Sequence, residues 1–374
     1  MAVMTQFNSV SLHRHIADTY NFDYFHHGWV QIWAAEQTNT TSEWYLGTAD
    51  AVRKKLSRVL QANSDYVLIL GADHLYRMDY GAMLNFHIDT NADVTVAAQT
   101  VISEDTNRFG ILKTNVDRRI THFVEKPTDP QVLSQLISYP GQDKPYIGSM
   151  GIYMFSTKAL VELIEYNNDR DFARDILPRA IKTHNIYSYD FQSYWDDLGT
   201  IRAYYDTNLK LTQVERSFDF YNPESPIYTS QRYLPGSVVE KSHMEEVLLT
   251  EGCIIREATI RHSVIGLRSH IGSGTQILDS LILGADYFWA NEGGESDELN
   301  SGIGQNCYIE GAIVDTNVHM GPNCVVKPFP RGTNFDTENW VVRDGIVIFP
   351  KDVSIPADTV ITPERYKPPY PMNI

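Results

Sequence analysis

An aspartate that directly follows a buried-looking strand is the most informative chemical feature of this sequence. The apolar segment 66–70 (Tyr-Val-Leu-Ile-Leu) runs into Gly71, Ala72 and Asp73. Ligands bind at the carboxyl ends of strands in open α/β sheets. Because Mg²⁺ typically takes only one or two protein carboxylates and fills its other positions with water and phosphates, Asp73 is a candidate metal ligand. An aspartate that caps a turn is the plainer alternative.

Two further segments carry groups that suit phosphate chemistry. Glu125, Lys126 and Pro127 follow a strand that ends at Val124, and a lysine there can neutralise a phosphate as a point charge. The segment 194–200 (Tyr-Trp-Asp-Asp-Leu-Gly-Thr) supplies a second carboxylate just before a helix that Thr200 can start. Two carboxylates from distant segments could share one Mg²⁺ if the fold brings them together. Taken singly, each group is better explained by a surface ion pair or a helix cap.

The elements that must position these groups alternate between extended and helical patterns over residues 1–215. This alternation predicts a largely parallel sheet with helices on its faces. Thr48 is expected to cap one helix and Ser156 another. The predicted strands cover residues 66–70, 94–98, 120–124 and 151–155.

A six-residue repeat replaces helical periodicity from about residue 245. Aliphatic residues recur at that spacing and resume their phase after an acidic, glycine-rich insertion at 286–300; they are Ile265, Ile271, Ile277, Leu283, Ile303 and Ile309. Hexapeptide spacing predicts a β-helix whose stacked coils bury one continuous core. A β-sandwich is the alternative, but its strands would be spaced about 8–12 residues apart.

These patterns predict a fold class and a domain organisation. The fold class that the patterns alone indicate is α/β: a sheet with helices on its faces, followed by a C-terminal β-helix of hexapeptide repeats. The predicted domains are 1–215, a linker at 216–240 that contains the turn-forming segments 221–226 and 234–236, and 241–374. A chain of 374 residues is long enough for two cores.

The bulk composition excludes several classes of partner. The net charge of −16 and the lack of a lysine or arginine run argue against nucleic acid or an anionic membrane as partner. No apolar run approaches the length of about 18 residues that suggests a membrane helix. Three cysteines without C-x-x-C spacing are typical of a reducing compartment, so we expect a cytoplasmic protein with cysteines in its core.

Five motifs, taken in order, closely resemble the glucose-1-phosphate adenylyltransferase (ADP-glucose pyrophosphorylase) family. The motifs are GTADAV at 47–52, DHLYRMDY at 73–80, FVEKP at 123–127, GSMGIY at 148–153 and YWDDLGT at 194–200. The hexapeptide region is similar to that family as well, so the likeness covers nearly the whole chain.

The resemblance implies an α/β fold with a Rossmann-like nucleotidyltransferase sheet, N-terminally incomplete, followed by a C-terminal left-handed parallel β-helix of hexapeptide repeats. It also implies that ATP and glucose 1-phosphate react to ADP-glucose and diphosphate with Mg²⁺ as cofactor, in glycogen or other α-glucan synthesis. Asp73 and Asp197 would be catalytic and hold the metal. The implied sugar-phosphate residues are Tyr45, Gly110, Glu125, Lys126 and Ser149, and the implied nucleotide residues are Gln37, Gly47 and Thr48. For Gln37 a plain polar loop residue is an equal alternative. The resemblance also implies a homotetramer assembled through the β-helix, and an effector-binding role for Lys351, for which a solvated charge is the alternative.

The chain departs from the family at its start. The family's glycine-rich nucleotide loop is not found, and Met1 aligns inside the catalytic domain. A misplaced start codon, a fragment, or a genuine short non-catalytic subunit would each explain this. The first two are favoured because the metal and sugar residues remain. Other rivals are a related sugar nucleotidyltransferase and a hexapeptide acyltransferase, for which the available histidines are His243, His262, His270 and His319.

Overall fold

The computed structural model describes residues 1–22, 25, 28–36, 44–165, 168–287 and 302–366. Two compact units divide the chain: the first holds Met1–Trp195 with Tyr228–Ser230, and the second holds Asp196–Ile227 with Gln231–Ile374. The domain boundaries at residues 215 and 240 stay predictions. None of the helices in the described ranges combines the length and the apolar character needed to cross a membrane.

The first unit alternates strands with short helices. In chain order its elements are β1 (Ala2–Thr5), α1 (Val10–Thr19), β2 (Gln31–Ala34), α2 (Thr48–Lys54), α3 (Leu56–Gln61), β3 (Tyr66–Leu70), β4 (His74–Tyr76), α4 (Tyr80–Asp89), β5 (Val94–Val101), β6 (Gly110–Thr114), β7 (Ile120–Glu125), α5 (Pro130–Leu136), β8 (Tyr146–Ser156), α6 (Thr157–Ile164), α7 (Leu177–Ala180) and β9 (Ile186–Asp190). Strand β10 (Trp195–Asp197) begins at the last residue of the segment Met1–Trp195, and its other two residues belong to the second unit. A 3₁₀ turn covers Ser103–Asp105, and a π-helical turn covers Phe172–Ile176.

The main sheet of the first unit has mixed strand directions, so the prediction of a largely parallel sheet was wrong. Its order is β7-β6-β8-β5-β9, with β3 also on β8, and β8 runs antiparallel to β3, β5 and β6. Strands β5 and β9 are parallel. The physical reason lies partly in a short turn at Asn115, whose side chain accepts from the backbone N–H groups of Asp117 and Arg119. So short a connection can join only antiparallel neighbours, here β6 and β7.

Two of the three predicted helix caps are confirmed. The side chains of Ser156 and Thr200 accept from the backbone N–H groups three residues on, at the starts of α6 and α8 (Ile201–Lys210). The cap at Thr48 was wrong, because Gly47 holds the N-cap position without a side-chain hydrogen bond. The Thr48 hydroxyl instead donates to Asp171 Oδ2 at 3.0 Å.

The second unit contains helix α8 and a largely parallel β-helix, with antiparallel pairing only among the described strands within residues 335–349. Its strands are β11 (Val238–Glu240), β12 (His243–Leu249), β13 (Ile254–Arg256), β14 (Thr259–Ile265), β15 (His270–Ile271), β16 (Gln276–Leu278), β17 (Leu281–Ile282), β18 (Gly302–Ile303), β19 (Tyr308–Glu310), β20 (Ala312–Val314), β21 (His319–Met320), β22 (Val325–Val326), β23 (Phe335–Asp336), β24 (Val341–Arg343), β25 (Ile346–Phe349), β26 (Ser354–Ile355) and β27 (Val360–Ile361).

The six-residue repeat builds the core of this β-helix, as the sequence predicts, except at Leu283, where the neighbouring Ile282 is the buried residue. Parallel pairing stacks Ile271 on Ile303 and Ile277 on Ile309, and all four side chains are buried. The cysteines are free and buried, as expected for core residues. Helix α8 packs Tyr205 and Leu209 onto the β-helix. Most of the predicted insertion, residues 288–300, lies outside the described residues.

Candidate functional site

Asp73 lies in an exposed turn that links β3 to β4. Its side chain is 62% exposed, and its Oδ1 atom lies 3.5 Å from Nε2 of His74, whose side chain is only 10% exposed. Six residues on, Asp79 caps α4 by accepting from the backbone N–H groups of Gly81 and Ala82. Of the two aspartates in this motif, the structural role therefore belongs to Asp79, and Asp73 is left facing solvent.

Trp195, the first residue of β10, packs beside this turn. The indole of Trp195 packs edge-on against the His74 ring, with centroids 5.7 Å apart, and against Phe109 at 4.9 Å. Asp197 follows two residues later in β10. Asp73 belongs to the first unit and Asp197 to the second, so the predicted ligand set of these two carboxylates stays a prediction.

The donors of this set fit Mg²⁺. Two carboxylates that leave most coordination positions to water and phosphate are the usual arrangement for this hard cation. The neighbouring Asp196 is engaged elsewhere, since its Oδ2 accepts from the Thr207 hydroxyl at 2.6 Å. Asp197 is engaged too, since its Oδ1 accepts from the backbone N–H of Gly199 at 2.7 Å, so the choice of Asp197 as the ligand stays a prediction.

A second group of candidate residues lies where β6 and β7 meet. Gly110 of β6 is the register partner of Glu125, the last residue of β7. A Cβ atom on Gly110 would lie 2.5 Å from Phe123 Cζ and 2.8 Å from Glu125 Oε2, so only glycine leaves room for both side chains. Lys126 then adopts a φ of +48°, and its N–H donates to the carbonyl of Phe109 at 3.0 Å. A left-handed backbone at a non-glycine residue is uncommon and concentrates at functional sites.

The electrostatics at this strand end are set by burial. Burial raises the pKa of Glu125 above its usual value, and the negative charge of Asp171 adds to the shift, whereas Lys126 and Arg174 oppose it. Burial likewise raises the pKa of Tyr153, which interacts with Ser149, Glu125 and Asp171. Ser149 is almost fully buried on β8. The predicted residues Gly110, Glu125, Lys126 and Ser149 therefore do belong to one region of the first unit.

Three members of this region were missed by sequence reasoning: Tyr153, Asp171 and Arg174. Asp171 accepts from the backbone N–H groups of Ala173 and Arg174 and so caps the π-helical turn at 172–176. Such turns occur often at functional sites. The only sequence signal was an aspartate before a short apolar stretch, and alternating charges around it resemble an ordinary surface segment.

The remaining predicted sugar and nucleotide residues lie near β2 and α2. The Tyr45 hydroxyl donates to the carbonyls of Trp33 and Ala34, at 3.2 and 3.0 Å, and so is tied to the end of β2. At Gly47, a Cβ atom would lie 2.3 Å from the carbonyl oxygen of Arg170. That carbonyl accepts from the N–H groups of Ala49 and Asp50, so these amides at the start of α2 are already paired. Gln37 lies outside the described residues, and all these binding roles stay predictions.

Lys351 is engaged by its own chain. Its ammonium donates to Asp286 Oδ2 at 2.5 Å, and this hydrogen bond raises the pKa of the lysine above its usual value. Asn317 donates to the same carboxylate oxygen at 3.2 Å. An effector anion at Lys351 would therefore compete with Asp286, and the predicted effector role stays untested.

Two family models match the chain. One, described as nucleotidyl transferase, covers residues 1–214 and thus every candidate catalytic residue. The other, described as a GLGC left-handed parallel beta-helix domain, covers residues 232–360 and confirms the predicted fold of the C-terminal part. Because the first match spans more than half of the sequence, the chain belongs to the nucleotidyl transferase family, and its two domains together support a sugar nucleotidyltransferase of the glucose-1-phosphate adenylyltransferase type.

Proposed function

We propose that the protein transfers the adenylyl group of ATP to glucose 1-phosphate, with Mg²⁺ as cofactor, and releases ADP-glucose and diphosphate. The observation that carries this proposal is the strand end at Glu125. There a half-buried carboxylate, an exposed ammonium and the buried Ser149–Tyr153 pair belong to one region of the first unit. A carboxylate accepts from sugar hydroxyls, and a lysine ammonium neutralises a phosphate.

The reaction needs positioning and charge stabilisation more than it needs a protein nucleophile. A phosphate oxygen of glucose 1-phosphate attacks the α-phosphorus of ATP, the bond from that phosphorus to the bridging oxygen breaks, and diphosphate leaves. Lys126 holds the attacking phosphate, and Glu125 orients the sugar. A bound Mg²⁺ would supply charge neutralisation, and Asp73 and Asp197 are the residues that would hold it.

We extend the proposal to the biology that the β-helix type suggests. The product would serve α-glucan synthesis, and copies of the chain would assemble into a homotetramer through the β-helix. Buried free cysteines are consistent with the reducing cytoplasm. Lys351 would bind an acidic effector once Asp286 releases it.

The experiment is an assay for ADP-glucose with purified protein, ATP, glucose 1-phosphate and Mg²⁺, in parallel with UTP, CTP and dTTP. Sugar nucleotide formed with ATP, and not with UTP, CTP or dTTP, supports the proposal. A preference for another nucleotide points to a related sugar nucleotidyltransferase. Replacing Lys126 with methionine should raise KM for glucose 1-phosphate about 10- to 100-fold, the range for a hydrogen bond to a charged group. The exposed Lys182 provides a matched control, since Lys182→Met should leave KM unchanged.

A further inference from the structure

We propose that His74 is a positioning residue that holds the Asp73 carboxylate in the orientation for binding the cation, and is not itself a ligand. The inference rests on the proposed function, because it takes Asp73 and Asp197 as the residues that hold Mg²⁺. It concerns a histidine to which sequence reasoning assigned no role.

The first argument is that the fold builds a fitted slot for this imidazole. A Cβ atom on Gly71 would lie 2.8 Å from His74 Cε1, and one on Gly151 would lie 3.2 Å from the same atom. Gly151 has a φ of +68°, which also favours glycine. The indole of Trp195 packs edge-on against the His74 ring, and the ring of Tyr76 is tilted against the same His74 ring, with centroids 6.4 Å apart. Two glycines and two aromatic rings thus fix the ring plane.

The second argument is the direction of the two ring nitrogens. Nε2 faces Asp73 Oδ1 at 3.5 Å, and the carboxylate can only accept, so the proton belongs on Nε2. Among the described residues, buried Nδ1 has no hydrogen-bond partner, which also favours the tautomer without a proton there. An N–H aimed at Oδ1 leaves the other oxygen of Asp73 available to a cation. The 3.5 Å separation is long for a hydrogen bond, and apo sites commonly tighten when the ligand binds.

The third argument is the chemistry of the cation. Imidazole suits zinc, copper, iron and nickel, whereas Mg²⁺ prefers carboxylate, carbonyl and water oxygens. A histidine that donates to a metal-binding carboxylate is a familiar supporting arrangement, and loss of such a partner typically costs 10- to 100-fold in metal affinity or activity. The fixed His74 ring is therefore better suited to orienting Asp73 than to coordinating the cation.

The test uses Mn²⁺ as a paramagnetic substitute for Mg²⁺ and measures its dissociation constant on the full chain by electron paramagnetic resonance. Replacing His74 with methionine, which has similar length but no N–H, should weaken Mn²⁺ binding about 10- to 100-fold. His74→Gln, which restores an N–H at a similar reach, should recover most of the affinity. Gly71→Ala should weaken Mn²⁺ binding as His74→Met does, because the new Cβ atom displaces the His74 ring. The exposed His122 is the control, and His122→Met should change nothing.

Each outcome separates this inference from the proposed function. If Asp73→Asn abolishes Mn²⁺ binding but neither His74 variant changes it, the role of His74 is refuted while the metal site stands. If Asp73→Asn and Asp197→Asn both leave binding intact, the metal site itself fails. Pulsed measurements that detect a directly coordinated nitrogen in the wild type, lost in His74→Gln, would show that His74 is a ligand and overturn the inference.

Discussion

Replacing Gly110 with alanine tests whether the strand pairing at β6 and β7 shapes the sugar-phosphate site. The new Cβ atom would lie 2.5 Å from Phe123 Cζ, and ordinary contact begins at 3.4 Å, so the ring must retreat by about 0.9 Å. Phe123 is buried in the core of the first unit and has little room to move. Overpacking of this kind typically costs about 1–3 kcal/mol. The same Cβ presses on Glu125 Oε2 at 2.8 Å, so the carboxylate must turn as well.

We therefore expect Gly110→Ala to lower both stability and affinity for glucose 1-phosphate. Thermal unfolding should shift down by about 2–4 °C for each kcal/mol lost. In steady-state kinetics, KM for glucose 1-phosphate should rise far more than KM for ATP. The control is Gly236→Ala, where a Cβ meets nothing within 4 Å and stability should stay within about 0.5 kcal/mol. A Gly110→Ala protein with unchanged unfolding temperature and unchanged KM would refute the close packing on which the site description depends.

Three further substitutions give separate tests. The Glu125→Gln variant should be more stable than the wild type at neutral pH. Burial raises the pKa of Glu125, so the protonated carboxyl stabilises the wild-type fold, and this stabilisation is lost as pH rises through that pKa. Urea unfolding should show this gap closing as pH falls toward the usual value of 4.5, and an opposite trend would contradict the burial of Glu125. Asp79→Ala removes the cap of α4 and should cost about 1 kcal/mol, measured by thermal unfolding, with little change in metal affinity. Lys351→Met should cost less than about 1 kcal/mol, since the side chain is 41% exposed, but should abolish any activation by sugar phosphates in the assay; retained activation would remove Lys351 from the effector site.

Local chemistry is what the sequence predicts well in this protein. The six-residue spacing identifies buried positions of the β-helix such as Ile271 and Ile309, because each coil repeats the same inward-facing geometry. It fails at Leu283, since Ile282 takes the buried place. The caps at Ser156 and Thr200 are equally local, since each depends on one hydroxyl and an N–H three residues on.

Long-range pairing is what the sequence does not predict. Alternating elements suggested a parallel sheet, but strand direction depends on which strands pair, and β8 pairs with three neighbours from distant segments. Thr48 fails as a cap for a similar reason, because its hydroxyl is taken by Asp171, 123 residues away in the chain. The packing around the His74 ring could not be predicted either, since Gly71, Gly151 and Trp195 come from distant segments and share no local pattern.

The most direct test of the central claim follows the α-phosphorus of ATP. ATP labelled at that phosphorus is incubated with glucose 1-phosphate, Mg²⁺ and the protein, and the products are separated. The account predicts that the label appears in ADP-glucose and that the diphosphate is unlabelled. The Asp73→Asn and Asp197→Asn proteins should form neither ADP-glucose nor diphosphate. Label that remains in ATP, or sugar nucleotide formation that persists in both aspartate variants, would contradict the account.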